Sequence, residues 1–501
     1  VEGARQWRQG FVKGDLFFMD YMDVPAAGAP HYLVTGGAPL HGEAVISGAK
    51  NAVTKMMIAS LLTTELCTLR NVPLLGDMFL TSQLCQGIGS SVQLTDHTLS
   101  ICTEYITHTE VLSEVGKLNR IAVMLIGPLL HRRGEVTIPA PGGDRIGPRP
   151  IDFHLTGLRQ MGAIIEEREG QYYCSIKKRL HGATITLPFP SVMATENFLI
   201  TASLAKGVTI IENAANEPEI IDLIKLLQKM GAIIELRVDR RIVIEGVERL
   251  HGAKHTLLSD RNEAVSLAIA TYLTKGDVYL RRAQQDTLLT FLNTLSKMGL
   301  RFEIDDDGIR FIGEGKIPSA ISLETDVHPG FMTDWQQPFT ILLTQIDGIS
   351  VVHETIYEDR FGYTSALNGM GAHIGLYPKC LGEVPCRFRE KQYMHSCVVR
   401  GPTPLHGTRL YIPDIRAGCS YILAALCAHG TSEVYGIEHI ERGYEQLDVK
   451  LRTLGAQIER VQRVPASYEE APSPESALIS SAPEHVELSV LSCGQKQDPA
   501  N

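Results

Sequence analysis

The sequence predicts an α/β protein built as two closed groups of three repeated units, each roughly βαβαβ. Three observations carry this. A glycine-centred signature occurs six times, strands and helices keep one order ahead of each copy, and the repeats fill residues 31 to 462 while both flanks differ in character. The copies are Leu84-Cys-Gln-Gly-Ile-Gly89, Leu158-Arg-Gln-Met-Gly162, Leu227-Gln-Lys-Met-Gly231, Leu295-Ser-Lys-Met-Gly299, Leu367-Asn-Gly-Met-Gly371 and Leu451-Arg-Thr-Leu-Gly455, spaced 68 to 84 residues apart. Self-similarity at a fixed period marks an architecture assembled from copies of one supersecondary unit.

Each element of the unit has its own reason. A short strand opens it, as in Ala44-Val-Ile, Val136-Thr-Ile, Thr184-Ile-Thr-Leu, Ile321-Ser-Leu and Arg409-Leu-Tyr-Ile. A polar turn leads into a helix whose apolar residues recur at helical spacing, over Ala52 to Leu62 or Asn197 to Ala205. Several copies then show a glycine and a second strand (Gly207-Val-Thr-Ile-Ile, Gly276-Asp-Val-Tyr-Leu, Gly430-Thr-Ser-Glu-Val). A second helix ends at the signature glycine, which is expected to adopt the left-handed conformation that stops a helix and turns the chain into a strand. An open solenoid is the alternative arrangement. Stacked repeats are usually shorter, about 20–45 residues, so two closed groups of three fit better.

Bulk properties narrow the function. A chain of 501 residues, 44% hydrophobic and 21% charged, has the profile of a soluble globular protein with more than one core. Its formal net charge of -10 argues against a nucleic-acid partner, yet leaves room for a small anion held by a local cluster of cations. No stretch approaches the roughly 20 continuous apolar residues that span a bilayer. Val1 to Ala29 shows no compact apolar block followed by small residues, so no secretory signal is expected there. Val464 to Asn501, rich in Pro, Ser and Glu, reads as a tail without a core. Among ten cysteines, Cys380, Cys386 and Cys397 come nearest to ligand spacing, but their gaps match no common zinc pattern. Reduced, mostly buried thiols and no metal are expected.

The turns that start the first helix of each unit carry the chemistry. Lys50, Arg149, Arg261 and Arg416 all sit near expected helix N-termini. A cation there opposes the helix dipole by about 0.3–1 kcal/mol, so four in equivalent places need a shared reason. Helix N-termini bind anions through unpaired N–H groups, and an added Lys or Arg strengthens the binding. The expectation is a site for a compact polyanion. Asp334 stands in the same place as an acid, either as a simple N-cap or as a carboxylate able to take a proton from a hydroxyl. Asp144, in a stretch with Gly142, Gly143, Gly147 and Pro148, is on residue grounds alone a turn Asp.

These residues resemble the enolpyruvyl transferases, in their UDP-N-acetylglucosamine 1-carboxyvinyltransferase branch. The resemblance covers about residues 32 to 462. It rests on Leu40-His-Gly-Glu-Ala-Val-Ile-Ser-Gly-Ala-Lys-Asn51, Pro141-Gly-Gly-Asp-Arg-Ile-Gly-Pro-Arg-Pro150, Glu212-Asn-Ala-Ala-Asn-Glu-Pro-Glu219, His328-Pro-Gly-Phe-Met-Thr-Asp334 and Arg442-Gly-Tyr444. It implies a pair of inside-out α/β barrels, each of three units, with the active site between them. The division expected on that basis is an irregular tail over 1–30, one discontinuous barrel over 31–49 and 259–462, a second over 50–258, and a disordered tail over 463–501.

The resemblance also implies transfer of the enolpyruvyl group of phosphoenolpyruvate to the 3′-hydroxyl of UDP-N-acetylglucosamine, with release of phosphate, in the cytoplasm, without a cofactor and without need of an oligomer. By motif match, Lys50 and Asn51 contact phosphoenolpyruvate, and Arg149, Arg416 and Arg442 clamp its anionic groups. Arg120, Arg149, Pro150, Ile151, Asp152, Phe153, Ser191, Val192 and Ile356 lie along the nucleotide sugar. Asp334 takes the hydroxyl proton. Asp144 matches the place where most of the family has a catalytic Cys and a subset has Asp; a donor role there requires a pKa raised above the ordinary value of about 3.9. The alternatives are a paralogue with another nucleotide or alcohol acceptor, or a non-catalytic relative that binds the sugar nucleotide. Departures from the family pattern are Met193 where Gly is usual, Asn216 where Lys or Arg is usual, an apparent insertion at Pro139-Ala140, and extra residues around Pro378 to Gly401.

Overall fold

The computed structural model describes residues 29–111, 113–118, 120–142, 150–314, 318–384 and 386–461. Asp144, Arg149 and most of both expected tails lie outside the described residues. Among the described residues no helix is long and apolar enough to cross a membrane.

Among the described residues six sheets form, five of four strands and one of three. One shows the common plan. Thr184–Thr186 runs parallel to Val208–Glu212, which pairs antiparallel with Arg241–Glu245, and that strand closes a hairpin with Ile233–Arg237. The unit therefore has one strand more than the sequence predicts, because the strand after a signature glycine pairs with a further antiparallel strand; after Gly455 that partner is His31–Thr35, from the other end of the described chain. All six signature glycines have positive φ, from 82° at Gly299 to 112° at Gly89, which L-residues with a Cβ rarely adopt.

Two kinds of helix follow from two kinds of sequence. Pro218–Lys229 is amphipathic, burying Ile220, Leu223, Ile224, Leu226 and Leu227 and exposing Lys225, Gln228 and Lys229, and it packs chiefly against the helices Lys50–Ala59 and Val192–Ala202. Arg261–Leu273 is buried at all of its 13 positions. It packs against Thr333–Thr344 and Ile415–Cys427, which also pack on each other. The sheets surround these helices with strands that bury one face, as in the alternating burial of Arg241–Glu245. Helices inside and sheets outside give an inside-out α/β arrangement. A second set holds Lys50–Ala59, Val192–Ala202 and Ile126–Arg133, the last preceded by a 3₁₀ turn at Ile121–Leu125.

Two hydrophobic cores result. One contains residues from Ala49 to Leu257. The other contains Tyr32 to Ile46 together with Ala264 to Ile458. The chain passes between them twice, near Ser47 and near Asp260.

Three element assignments need correction. The strand around Ala44, His41–Val45, does not open the first unit's sheet; it runs parallel to Asp277–Arg281 in the second core's layer, and Lys254–Thr256 takes its place beside Cys67–Arg70. Val136 belongs to Glu135–Pro139, an antiparallel partner of Gln171–Ser175, and only a single bridge from Glu110 to Thr137 stands where the short parallel strand is expected. The helix expected from Asn197 starts at Val192, because Thr195 and Glu196, polar by sequence, are fully buried within it.

Candidate active site

The starts of all six inner helices meet at one cleft of about 480 Å³. Lys50, Arg120 with Ile121, Ser191 with Val192, Arg261, Thr333 with Asp334, and Ile415 with Arg416 line it. Each helix start presents N–H groups without intrahelical partners. Two are capped by carboxylates: Asp260 accepts from Asn262 and Glu263 N–H at 2.7 and 3.2 Å, and Asp414 from Arg416 and Ala417 at 2.9 and 3.1 Å. The Asp260 carboxylate also accepts the Lys50 N–H at 3.0 Å, tying two helix starts from different cores to one side chain.

The repeat equivalence needs one change. The segment before Asp152 leads into Asp152–Gln160, the second helix of its unit, whereas the first helix of that unit starts after Arg120. Arg120, not Arg149, is therefore the repeat counterpart of Lys50, Arg261 and Arg416. The misplaced opening strand at Val136 hid this, since the helix lies before that strand and not after it.

Opposite charges hold most of these cations. Lys50 Nζ lies 2.8 Å from Asp77 Oδ2, and Arg442 Nε lies 3.0 Å from Asp77 Oδ1. Burial pushes the Asp77 carboxyl up, but Lys50 and Arg442 outweigh it and hold the group below its usual range. Asp334 receives Arg360 Nη2 at 2.7 Å and Arg416 Nε at 3.1 Å. Burial again opposes ionisation there, yet Arg416, Arg360 and Lys50 bring the carboxyl down to about 2. Arg416 also lies 5.3 Å over the Tyr444 ring, and its Nη1 is buried with no hydrogen-bond partner among the described residues. Such an orphaned guanidinium N–H is costly unless a ligand acceptor completes it. Arg261 differs. It is buried and gives both Nε and Nη2 to Glu219 at 2.9 Å, so its charge is matched inside the protein.

The remaining residues expected at the site divide. Asn51, Pro150, Phe153 and Ile356 line the cleft, and Arg120 donates to the Pro150 carbonyl at 3.3 Å. Ile151 packs into the first core and Asp152 is exposed at a helix start; neither lines the cleft. Met193 lines it and packs partly against the first core. Asn216 accepts from Arg240 at 2.7 Å, which brings a guanidinium next to the position where the family pattern has a cation. Asp77, Glu219, Arg360 and Arg387 were not anticipated. None stands at a first-helix start, so no repeat position marks them; Arg387, from the extra segment near Pro378, lies 4.8 Å over Phe189 and donates to the Ile356 carbonyl.

The family described as EPSP synthase (3-phosphoshikimate 1-carboxyvinyltransferase) matches residues 34–451. A UDP-N-acetylglucosamine 1-carboxyvinyltransferase of Protochlamydia amoebophila is 47% identical over 436 residues, 86% of this chain and 94% of the relative. One of Chlamydia pneumoniae is 45% identical over 430 residues, 85% of this chain and 94% of the relative. The solved structure of the enolpyruvyl transferase NikO from Streptomyces tendae superimposes with a TM-score of 0.77 at 22% identity, covering 86% of this chain and 99% of that one, and so shares the fold.

Proposed function

The chain belongs to the EPSP synthase (3-phosphoshikimate 1-carboxyvinyltransferase) family, and on that premise we propose that it transfers the enolpyruvyl group of phosphoenolpyruvate to the 3′-hydroxyl of UDP-N-acetylglucosamine, the first committed step of peptidoglycan synthesis. One observation supports this above the others: six helix N-termini converge on a single cleft with Lys50, Arg120, Arg416 and Arg442 on its walls. That is a receptor for a small molecule with several negative charges. The working compartment is the cytoplasm, where both substrates are held without a cofactor. The cleft lies between a barrel of residues 50–258 and one of 31–49 with 259–462.

In this reading Lys50, Asn51, Arg416 and Arg442 hold the phosphate and carboxylate of phosphoenolpyruvate, joined by Arg149, which lies outside the described residues. Arg120, Pro150, Phe153, Ser191, Val192 and Ile356 run along the nucleotide sugar. The sugar hydroxyl oxygen bonds to C2 of phosphoenolpyruvate while its proton passes to Asp334, and C3 gains a proton from Asp144. The tetrahedral ketal then loses inorganic phosphate as a proton leaves C3 and the double bond re-forms. Asp334 is a weak base while both arginines hold it; an anion that draws Arg416 toward itself weakens that hold and raises its basicity. The test is phosphate release from phosphoenolpyruvate with UDP-N-acetylglucosamine, on the parent and on Asp334→Asn. Acceptor-dependent release by the parent supports the reading. A parent that binds the sugar nucleotide and releases no phosphate overturns it.

A further inference from the structure

We propose that this chain carries a structural Zn²⁺ site made by His353, Cys380, Cys386 and His395, which pins the loop between Pro378 and His395 beside the cleft. No pair of these residues has a familiar zinc-finger spacing, because His353 ends one strand and His395 immediately precedes its antiparallel neighbour, Ser396–Gly401. Folding brings the four together, with one donor atom from each all within 4.8 Å of one another. Tetrahedral zinc bonds of about 2.0–2.3 Å place donors roughly 3.3–3.8 Å apart, so a short contraction of the cluster completes the geometry.

The proton positions favour a metal. Ser396 Oγ donates its hydrogen to the Lys379 carbonyl at 2.7 Å, so toward His353 Nδ1, 2.8 Å away, it can only accept. His353 therefore carries its proton on Nδ1 and turns a bare Nε2 into the cluster. That Nε2 is buried with no hydrogen-bond partner among the described residues, on a side chain with no exposed surface. His395, also fully buried, donates Nδ1–H to the Tyr393 carbonyl at 2.7 Å and leaves Nε2 facing Cys380 Sγ at 3.3 Å. Two imidazoles fixed through their far nitrogens by protein acceptors are the usual support of metal-ligating histidines. The Phe388 N–H donates to Cys386 Sγ at 3.3 Å and fixes the orientation of that sulfur.

Two thiolates and two imidazoles select Zn²⁺ among common divalent ions, and four protein donors leave no open position, so the role is structural. The loop is built around the cluster: Glu324 accepts the N–H groups of Glu383 and Val384 at 2.7 Å each. Arg387, next to the ligand Cys386, reaches the cleft against Phe189 and the Ile356 carbonyl. The metal thus anchors the loop that delivers this arginine.

The experiment uses the full chain, purified in reducing, metal-free buffer after growth in zinc-containing medium. About one Zn²⁺ per chain is expected by elemental analysis, and none in Cys380→Ser/Cys386→Ser. Because that variant can fail to fold, the parent is also stripped of zinc and reloaded with Co²⁺ alone. Thiolate-to-cobalt charge transfer with the intense visible bands of a tetrahedral site is expected. Amide hydrogen exchange across 379–395 should quicken on stripping and slow again on reloading. The proposal is overturned by a parent without stoichiometric zinc and with a weak octahedral Co²⁺ spectrum, by a Cys380–Cys386 disulfide in the purified parent, or by zinc retained in the double variant. Unchanged exchange on stripping overturns the anchoring role.

Discussion

At the scale of single residues, the cleft depends on which carboxyl groups ionise. Asp334, held near 2 by Arg416 and Arg360, is an anion at neutral pH. Its pKa is depressed on folding, so the stability it contributes is present above the unfolded value and is lost as pH falls toward 2. Asp334→Asn keeps the shape and loses the base; phosphate release is expected to fall by about 10²–10⁴-fold with a smaller change in KM. Glu196 has the opposite sign. Buried, with Lys55 at 3.6 Å as its ion-pair partner, it is pushed by burial from 4.5 to about 7. A carboxyl raised on folding favours the folded state most at low pH, so stability should decline between pH 4.5 and 7. Urea unfolding at several pH values is expected to show that slope in the parent and its loss in Glu196→Gln. A third expectation concerns Asp144, since the thiol-alkylating epoxide fosfomycin should form no covalent adduct at that position. Burial raises the thiols of Cys67, Cys85, Cys174, Cys397, Cys419 and Cys427, so these offer no substitute thiolate. Intact mass after incubation with fosfomycin checks it.

At the scale of elements, the helix starts are the working parts, and their caps keep them in place. Asp260 serves two at once, through Asn262 and Glu263 on its own helix and Lys50 on another. Asp260→Ala is therefore expected to cost about 2 kcal/mol, the upper part of the range for one lost cap, and Asp260→Asn much less, by urea unfolding at neutral pH. Helix ends were legible from sequence, since the six signature glycines take the positive φ that their position demanded. Helix starts were less so. Arg261 and Arg416 announce themselves beside capping aspartates, whereas Arg120 precedes a 3₁₀ turn with no side-chain cap. Nothing local distinguished it from a surface arginine.

At the scale of the whole molecule, side chains from one core bond to side chains of the other. Arg261, from the second, grips Glu219, from the first, with two bonds of 2.9 Å in a site where both are buried. Arg442 reaches Asp77 in the same sense, and Arg282 reaches Asn71 at 3.1 Å. Arg261→Ala strands the Glu219 carboxylate and is expected to destabilise the protein by about 3–5 kcal/mol, while replacing the pair by Arg261→Met with Glu219→Leu should be near neutral. Denaturant unfolding of the three proteins distinguishes these outcomes. The sequence by itself determined the sixfold repeat, the glycine that ends each second helix and the cations at Lys50, Arg261 and Arg416. Periodicity and backbone sterics act over a few residues and leave their mark in the local chain. Only the tertiary structure decided that His41–Val45 completes a sheet more than 230 residues away, that Arg120 is the fourth matching cation, and that Asp77 pairs with Lys50 and Arg442 while Arg360 pairs with Asp334. It alone brings His353, Cys380, Cys386 and His395 to one point. Pairings between distant segments are selected by burial and charge in the assembled molecule, and no short stretch of sequence encodes them.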